Sequence, residues 1–445
     1  MKRKYLDDLV KWLTCDKKKP LIVWGASRVG KTYLIKNLFA EKYFKDSYIY
    51  IDCLKDKEFT SFVKSSSNVE DIIKYLSLKY NKDINKDVLL IFDNAQECTS
   101  LVTALKYFNQ NHPEIPVILT GSYLKNRLKR IYKDKKYLFP IGNINELTIY
   151  PLDFEEYLIN KNKIAYEALL DSFNSFTPLN EQIHQMILAI FNEYLLIGGM
   201  PEAVETYLKT NSLLNALNVL KDLYSNYLYD MELYQASHES LIRSKSVFKN
   251  IFTLLNRESK NFSPSIIETK TRNRDYINPI EWLEMAFIVN KSHQLKDKIT
   301  LPLLEDNESL FRLYLSDVGM FSLQSSVTPE SFILKDAANT LSGVFYENYV
   351  ATELINFGYP LYYWKGKNNA EFEFIIQYKN SVIPIDVKKS RGKLNSLDAF
   401  IAHNKYKFAI KVSANNLGYD ETKKIITIPY YMVFALLKKL KNNEL

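Results

Sequence analysis

The octet Gly25-Ala26-Ser27-Arg28-Val29-Gly30-Lys31-Thr32 contains the residue types a phosphate-holding loop needs, at the spacing GxxxxGK[ST]. Glycines let backbone amides curl around phosphate oxygens, and a helix starting at the end of the octet adds the partial positive charge of its N-terminus. Lys31 is long enough to reach β- and γ-phosphates, and Thr32 offers a hydroxyl to magnesium. The apolar run LIVW precedes the octet, and helical spacing of Tyr33, Leu34, Leu38 and Phe39 follows it. These residues predict a site for ATP and Mg2+.

Further along, VLLIFD ends in Asp93, where a magnesium-coordinating carboxylate is expected beside Thr32. The next residue is Asn94, an amide that can orient water but cannot take its proton. Three outcomes stay open: slow hydrolysis, a base supplied by Glu97, or no hydrolysis. Thr120-Gly121-Ser122 closes another apolar run and offers Ser122 to the γ-phosphate or the water; a plain strand-ending turn is the alternative. Between Lys125 and Lys136 lie seven basic residues and one acid. Arg127 and Arg130 suit the γ-phosphate of a neighbouring subunit or a DNA-contacting face, and a solvated basic helix explains them as well.

A second constellation lies near the C-terminus. Asp386 and Lys388 are two apart in SVIPIDVKK, so on a strand they point to one face; Glu371 and Glu373 share a face of the preceding run, AEFEFIIQY, in the same way. Glu347, on a preceding helix, would complete the cluster. The plainer reading is pairing across a hairpin, Glu373 with Lys388 for example. His112, His184, His238, His293 and His403 lack metal-ligand spacing, and Cys15, Cys53 and Cys98 form neither a disulfide framework nor a zinc motif.

The elements that must position these groups follow from pattern. LIVW, SYIYIDC (47–53), DVLLIFDN (87–94) and PVILTGS (116–122) read as strands, with helices near 69–80 and 100–111 between them. Alternation of apolar strands with helices implies a parallel sheet buried on both faces, with ligands at the carboxyl ends of its strands. From Pro151 to about Tyr229 the spacing is helical, broken at IGGMPEAV, where Gly198 and Gly199 end one helix and Pro201 starts the next. Residues 240–300 are mostly helical and then strand-like, which suits a winged-helix module. A helix over 343–358 followed by LYYWKG and the two β-like runs reads as a second α/β unit with its own sheet.

A chain of 445 residues, 47% apolar and 14% aromatic, is long enough for two to four domains with buried cores, which excludes disorder. No apolar run approaches the roughly 20 residues of a membrane span, and acids interrupt the N-terminus; a soluble cytoplasmic protein without a membrane partner is expected. Charge is uneven. Residues 1–150 carry 27 Lys/Arg against 17 Asp/Glu, 151–350 carry 17 against 26, and 351–445 carry 15 against 8. Basic ends flanking an acidic middle keep nucleic acid among the candidate partners.

The order of motifs, GASRVGKT, IFDNAQE, VILTGS, YPLDFEEYL, YLLIGGMPEAV, WLEMAFIV, LYLSDVGMF, GVFYENYVATEL, YYWKGKNNAEFEFII and IPIDVKKS, resembles bacterial and archaeal AAA-type ATPases that carry a C-terminal domain of unknown function with a restriction-endonuclease-like core. The resemblance spans nearly the whole chain. It implies an α/β multidomain protein: a P-loop core with a parallel sheet over 1–150, a helical lid over 151–235, a winged-helix-like segment over 236–325 and a restriction-endonuclease-like domain over 326–445. Members usually have glutamate where Asn94 stands and a glycine-arginine pair where Gly142-Asn143 stands. The resemblance also aligns Glu373, Asp386 and Lys388, with Glu347 on the helix, to the PD-(D/E)xK nuclease arrangement. The leading expectation is a Mg-ATP-binding switch, DNA-associated or engaging a protein partner through its terminal domain, with homo-oligomers in view. The alternatives are a nucleotide-gated Mg-dependent DNA nuclease and a non-hydrolysing ATP-binding signalling scaffold.

Overall fold

Five short strands carry the first sheet: β1 (Leu21–Trp24), β2 (Tyr48–Asp52), β3 (Leu89–Asp93), β4 (Val117–Thr120) and β5 (Asn145–Thr148). They pair in parallel in the order β2-β3-β4-β1-β5. In this computed structural model the described residues are 1–444 apart from 67, 134–138, 236, 326, 328–341, 367–369 and 390–395, with backbone alone described at 131–133. Every residue of the inner strands β1, β3 and β4 is buried, as continuous apolar runs predict for a sheet covered on both faces. The edge strand β2 alternates: Ile49 and Ile51 are buried, whereas Tyr48, Tyr50 and Asp52 are half-buried. Helices Val69–Tyr80 and Ser100–Asn111 lie where expected. Helix Lys57–Ser65 and strand β5 were not expected; β5 reads NELT, a polar edge strand with no apolar run to mark it.

The described chain divides into two compact units. Residues Lys2–Tyr150 and Met285–Phe287 form one; Pro151–Glu284 and Ile288–Leu445 form the other. All three of the later segments expected from sequence thus contribute to the second unit.

That unit begins with helices Phe154–Lys161, Lys163–Ser175, Glu181–Ile197, Pro201–Thr210 and Leu213–Tyr234. Helix Glu181–Ile197 packs Phe191 edge-on to Tyr349, ring centroids 4.8 Å apart, and parallel to Tyr430 at 5.6 Å. Beyond it, β6 (Val289–Leu295), β7 (Phe311–Leu315), β8 (Leu361–Lys365) and β9 (Glu371–Phe372) make a sheet in the order β7-β6-β8-β9. A second sheet holds β10 (Phe374–Tyr378), β11 (Ser381–Val387), β12 (Ala409–Ser413), β13 (Gly418–Asp420) and β14 (Ile425–Pro429), in the order β10-β11-β12-β14-β13. The terminal segment therefore has a sheet of its own but also lends β8 and β9 to β6. The hairpin β10/β11 turns at Lys379 and Asn380 as expected. Among the described residues, no helix is long and apolar enough to cross a membrane.

Three sequence motifs interlock inside this unit. Asp317 caps the helix Val318–Leu323 by accepting from Met320 N, and its other oxygen accepts from Gly199 N, both at 2.8 Å. Burial pushes the Asp317 carboxyl up to about 6 against three backbone donors. Leu152 N donates to Gly199 O at 2.7 Å, and a Cβ on Gly199 would lie 1.9 Å from Leu152 O. Since both backbones are pinned by these bonds, Gly199→Ala is expected to cost about 3 kcal/mol, the upper range of overpacking, read as a lower urea midpoint for the second unit's unfolding transition.

Candidate functional site

The phosphate-type loop is built as the octet predicts. Gly25 has φ +147° and a Cβ there would meet Ile149 O at 2.3 Å, so only glycine fits beside β5. Arg28 and Gly30 also take positive φ, and the chain enters a helix at Lys31 that is π-helical over Tyr33–Ala40. Arg3, which sequence reading passed over, is buried and braces the loop: its guanidinium donates to Val29 O at 2.9 Å and Tyr150 O at 2.7 Å. Nothing in a lysine-rich N-terminus distinguishes such a residue beforehand.

Lys31 is 6% exposed, and its ammonium donates to Gly25 O at 3.1 Å, Ala26 O at 2.6 Å and Ser122 Oγ at 3.3 Å. All three partners are neutral. Burial lowers the group to about 8, with Asp93 opposing. A buried cation held by neutral dipoles is an anion-seeking group. Ser122 meets Lys31, a contact the spacing did not predict, whereas Thr120 is turned away: its hydroxyl bonds Val23 O at 2.9 Å and ties β4 to β1.

Asp93 sits at the end of β3 with 4% exposure. Its Oδ2 accepts from Thr32 Oγ1 at 2.6 Å and Tyr50 OH at 2.9 Å, and its Oδ1 from Asn94 N at 2.7 Å. The Thr32 hydroxyl and Asp93 carboxylate converge as oxygen donors for a hard cation, so these two residues fit magnesium. Asn94 has φ +53°, and its amide points to Asp52 Oδ1 at 2.9 Å. Gln96 Nε2 lies 3.4 Å from Asn94 Oδ1. Glu97 is half-buried at the end of the turn Ala95–Glu97 and makes none of these contacts. Arg127 and Arg130 are exposed on the helix Leu124–Lys133; Lys135 and Lys136 of the basic run lie outside the described residues.

The second constellation also comes together, with two cations the sequence did not flag. The run AEFEFIIQY is split rather than one strand: β9 ends at Phe372 and β10 starts at Phe374, because the two strands pair in different sheets. Glu373, at the break, accepts from Val387 N at 3.1 Å. Lys388 lies just past β11; its ammonium contacts Asp386 at 2.7 Å, and the Glu373 charge is the stronger influence that keeps it protonated. Lys260 forms an ion pair with Glu347 and lies 3.9 Å from Glu371. Arg312, 1% exposed, pairs with Glu371 at 2.9 Å and stacks 3.9 Å above the Tyr363 ring.

Burial, then the neighbouring Glu373, pushes the Asp386 carboxyl up to about 8 in spite of Lys388. Burial would raise Glu373 too, but Lys260 and Lys388 bring it below the ordinary value. With Asp386 neutral, Glu347, Glu371 and Glu373 face three cations, Lys260, Arg312 and Lys388, and burial raises the Glu347 carboxyl as well, against Lys260 and Arg312. Acids and cations are matched within the cluster. Among the described residues, no three His, Cys, Asp or Glu side chains group as a metal-holding set.

Comparison with known proteins covers the chain in three pieces. The family described as an AAA domain matches residues 17–158, a domain of unknown function (DUF8612) matches 188–331, and a domain of unknown function (DUF4143) matches 342–431. Nothing among curated proteins matches. Similar solved structures include a Walker-type ATPase of Pyrococcus abyssi, 17% identical, covering 72% of this chain and 95% of that one at TM-score 0.43. The ORC2 protein of Aeropyrum pernix in ADPNP-ADP complexes is 14% identical over 69% of this chain and 86% of that one, TM-score 0.33. AMPPCP-bound DnaA from Aquifex aeolicus is 16% identical over 63% and 76% respectively, TM-score 0.27.

The raised Asp386 carboxyl has a sign that can be checked. Between about pH 4 and 8 the unfolded chain loses this proton while the folded chain keeps it, so the group makes stability fall as pH rises through that window. Asp386→Asn is expected to flatten that part of the pH–stability profile relative to wild type, measured by urea unfolding at fixed temperature.

Proposed function

We propose that this chain, whose first unit contains an AAA-type P-loop ATPase domain, is an ATP-driven switch that binds and hydrolyses Mg-ATP and engages DNA. The observation that carries the reading is Lys31: a buried ammonium held by neutral oxygens, directly before Thr32, whose hydroxyl converges with Asp93. Loop amides from Gly25 to Thr32 would receive the phosphates, and Lys31 would exchange its carbonyl partners for phosphate oxygens. Thr32 and Asp93 would hold magnesium, which when bound offsets charge on the β- and γ-phosphates. Ser122, already on Lys31, would sense the γ-phosphate.

DNA as a partner is supported by the basic excess over 1–150 and by exposed Arg127 and Arg130. The winged-helix-like reading of 236–325 draws support from helices His238–Lys249 and Ile277–Met285 followed by the antiparallel pair β6/β7. A restriction-endonuclease-like reading of 326–445 draws support from helix Gly343–Asn356 leading into a mixed sheet whose hairpin carries Glu373 and Asp386. Within that reading we take the terminal domain as a non-catalytic module, since Lys260 and Lys388 already stand on Glu347 and Asp386, two of the carboxylates a metal would need.

Phosphate release from ATP is expected in wild type and at least about 100-fold slower in Lys31→Ala, with binding of a fluorescent ATP analogue lost in parallel. Supercoiled DNA incubated with the protein and Mg2+ or Mn2+ is expected to stay intact on an agarose gel. Cleavage abolished by Lys388→Ala would instead establish the nuclease.

A further inference from the structure

We propose that Asp52 is the carboxylate that positions the attacking water and takes its proton, the task for which Asn94 is chemically unsuited. The inference rests on the reading that bound ATP is hydrolysed, and it names the residue on which that hydrolysis turns. It starts from strand register: β2 and β3 run parallel with Asp52 directly opposite Asp93. Aligned partners in neighbouring strands project to the same face of a sheet. Tyr50, two residues earlier on that face, shows the consequence, since its hydroxyl reaches Asp93 Oδ2. Asp52 therefore leaves the carboxyl end of the sheet beside Asp93, on the face where Thr32 meets Asp93 and where ligands of open α/β sheets bind.

The hydrogen bonds around Asp52 hold one oxygen and leave the other available. Oδ1 accepts from Asn94 Nδ2 at 2.9 Å and from Leu54 N at 3.0 Å. Among the described residues, Oδ2 has only a loose pair, 3.8 Å, with the exposed ammonium of Lys55. The Asp52 side chain is 16% exposed, reachable by water yet fixed in direction. Asn94 thus acts as a clamp: its left-handed backbone turns the amide sideways onto Asp52, with Gln96 behind it. A glutamate at Asn94 would carry the base itself; with an amide there, the base comes from the adjacent strand.

In the step, the water oxygen bonds to the γ-phosphorus as the bond from that phosphorus to the β,γ-bridging oxygen breaks, and the bond's electron pair leaves with ADP. The water proton passes to Asp52 Oδ2 and then to the released phosphate, so Asp52 is ionised again for the next turnover. No further reactant is needed.

The test is Asp52→Asn in the full-length protein. Asparagine keeps an acceptor for both Oδ1 bonds and removes only the charge. Phosphate release is expected to fall about 100-fold or more, the usual range for losing a general base, while affinity for a fluorescent non-hydrolysable ATP analogue stays within about twofold. Affinity for ADP with aluminium fluoride, which mimics the phosphoryl group in flight with its water, is expected to weaken at least about tenfold, with ADP alone unchanged. Adding Asn94→Glu to Asp52→Asn is expected to restore at least about tenfold of the lost rate, because it returns a carboxylate to the water. Asp52→Asn turning over within about threefold of wild type would overturn the assignment alone, and so would equal losses of analogue affinity and rate, which mark a structural role. Wild type that binds ATP without any turnover would overturn the hydrolysis reading and Asp52's role with it. Should Asp52→Asn not fold, Asp52→Ser is read by the same criteria.

Discussion

A carboxylate buried at the end of a sheet must be met by donors, and the demands of Asp93 organise the whole phosphate-facing edge of the first unit. Thr32 answers from the start of the helix, Tyr50 from the neighbouring strand and Asn94 from the turn that follows. Three chain segments far apart in sequence are thereby fixed against one another by a single side chain. The Tyr50 hydroxyl is kept protonated for the purpose: burial and the Asp93 charge push it well above the usual phenol range. The strained positions nearby, Arg28 and Asn94 with positive φ, are the backbone cost of bringing those donors to one point.

The two charge clusters treat burial in opposite ways. In the first, Lys31 is surrounded by neutral oxygens, and its ammonium is correspondingly easier to deprotonate. In the second, Glu347, Glu371 and Glu373 are met by Lys260, Arg312 and Lys388, and the remaining acid, Asp386, gives up its charge. One site is electrostatically incomplete without a guest, and the other is complete within the chain. Burial of charge is tolerated in the second because acids and cations stand against one another, Lys260 on Glu347 and Arg312 on Glu371, with Tyr363 beneath Arg312.

What was legible in the sequence was local. The inner strands of the first sheet announce themselves because a strand buried on both faces has to be apolar throughout, and the loop does so because its geometry restricts residue type at fixed spacing. Strand β5, by contrast, is a polar edge whose place is set by Pro20 O and Trp24 O next door, a relation no pattern within NELT encodes. Lys260 and Arg312 were invisible for a related reason. Each is an ordinary basic residue in its own segment, and only the meeting of β7, the helix Gly343–Asn356 and β9 makes them the partners of Glu347 and Glu371. Asp52 lay at the end of an expected strand, but its position opposite Asp93 is a property of register.

The first unit is not continuous along the chain. Phe287 returns to it after the long helical stretch, packs against its core and lies 4.6 Å beneath the Lys125 ammonium. During synthesis, Tyr150 is made about 135 residues before Met285, so the first unit cannot complete its core until most of the helices that follow have been translated. The order in which the ribosome delivers the chain thus makes this unit wait for its own last three residues, and a fragment ending at Tyr150 would lack the Phe287 ring that packs against its core.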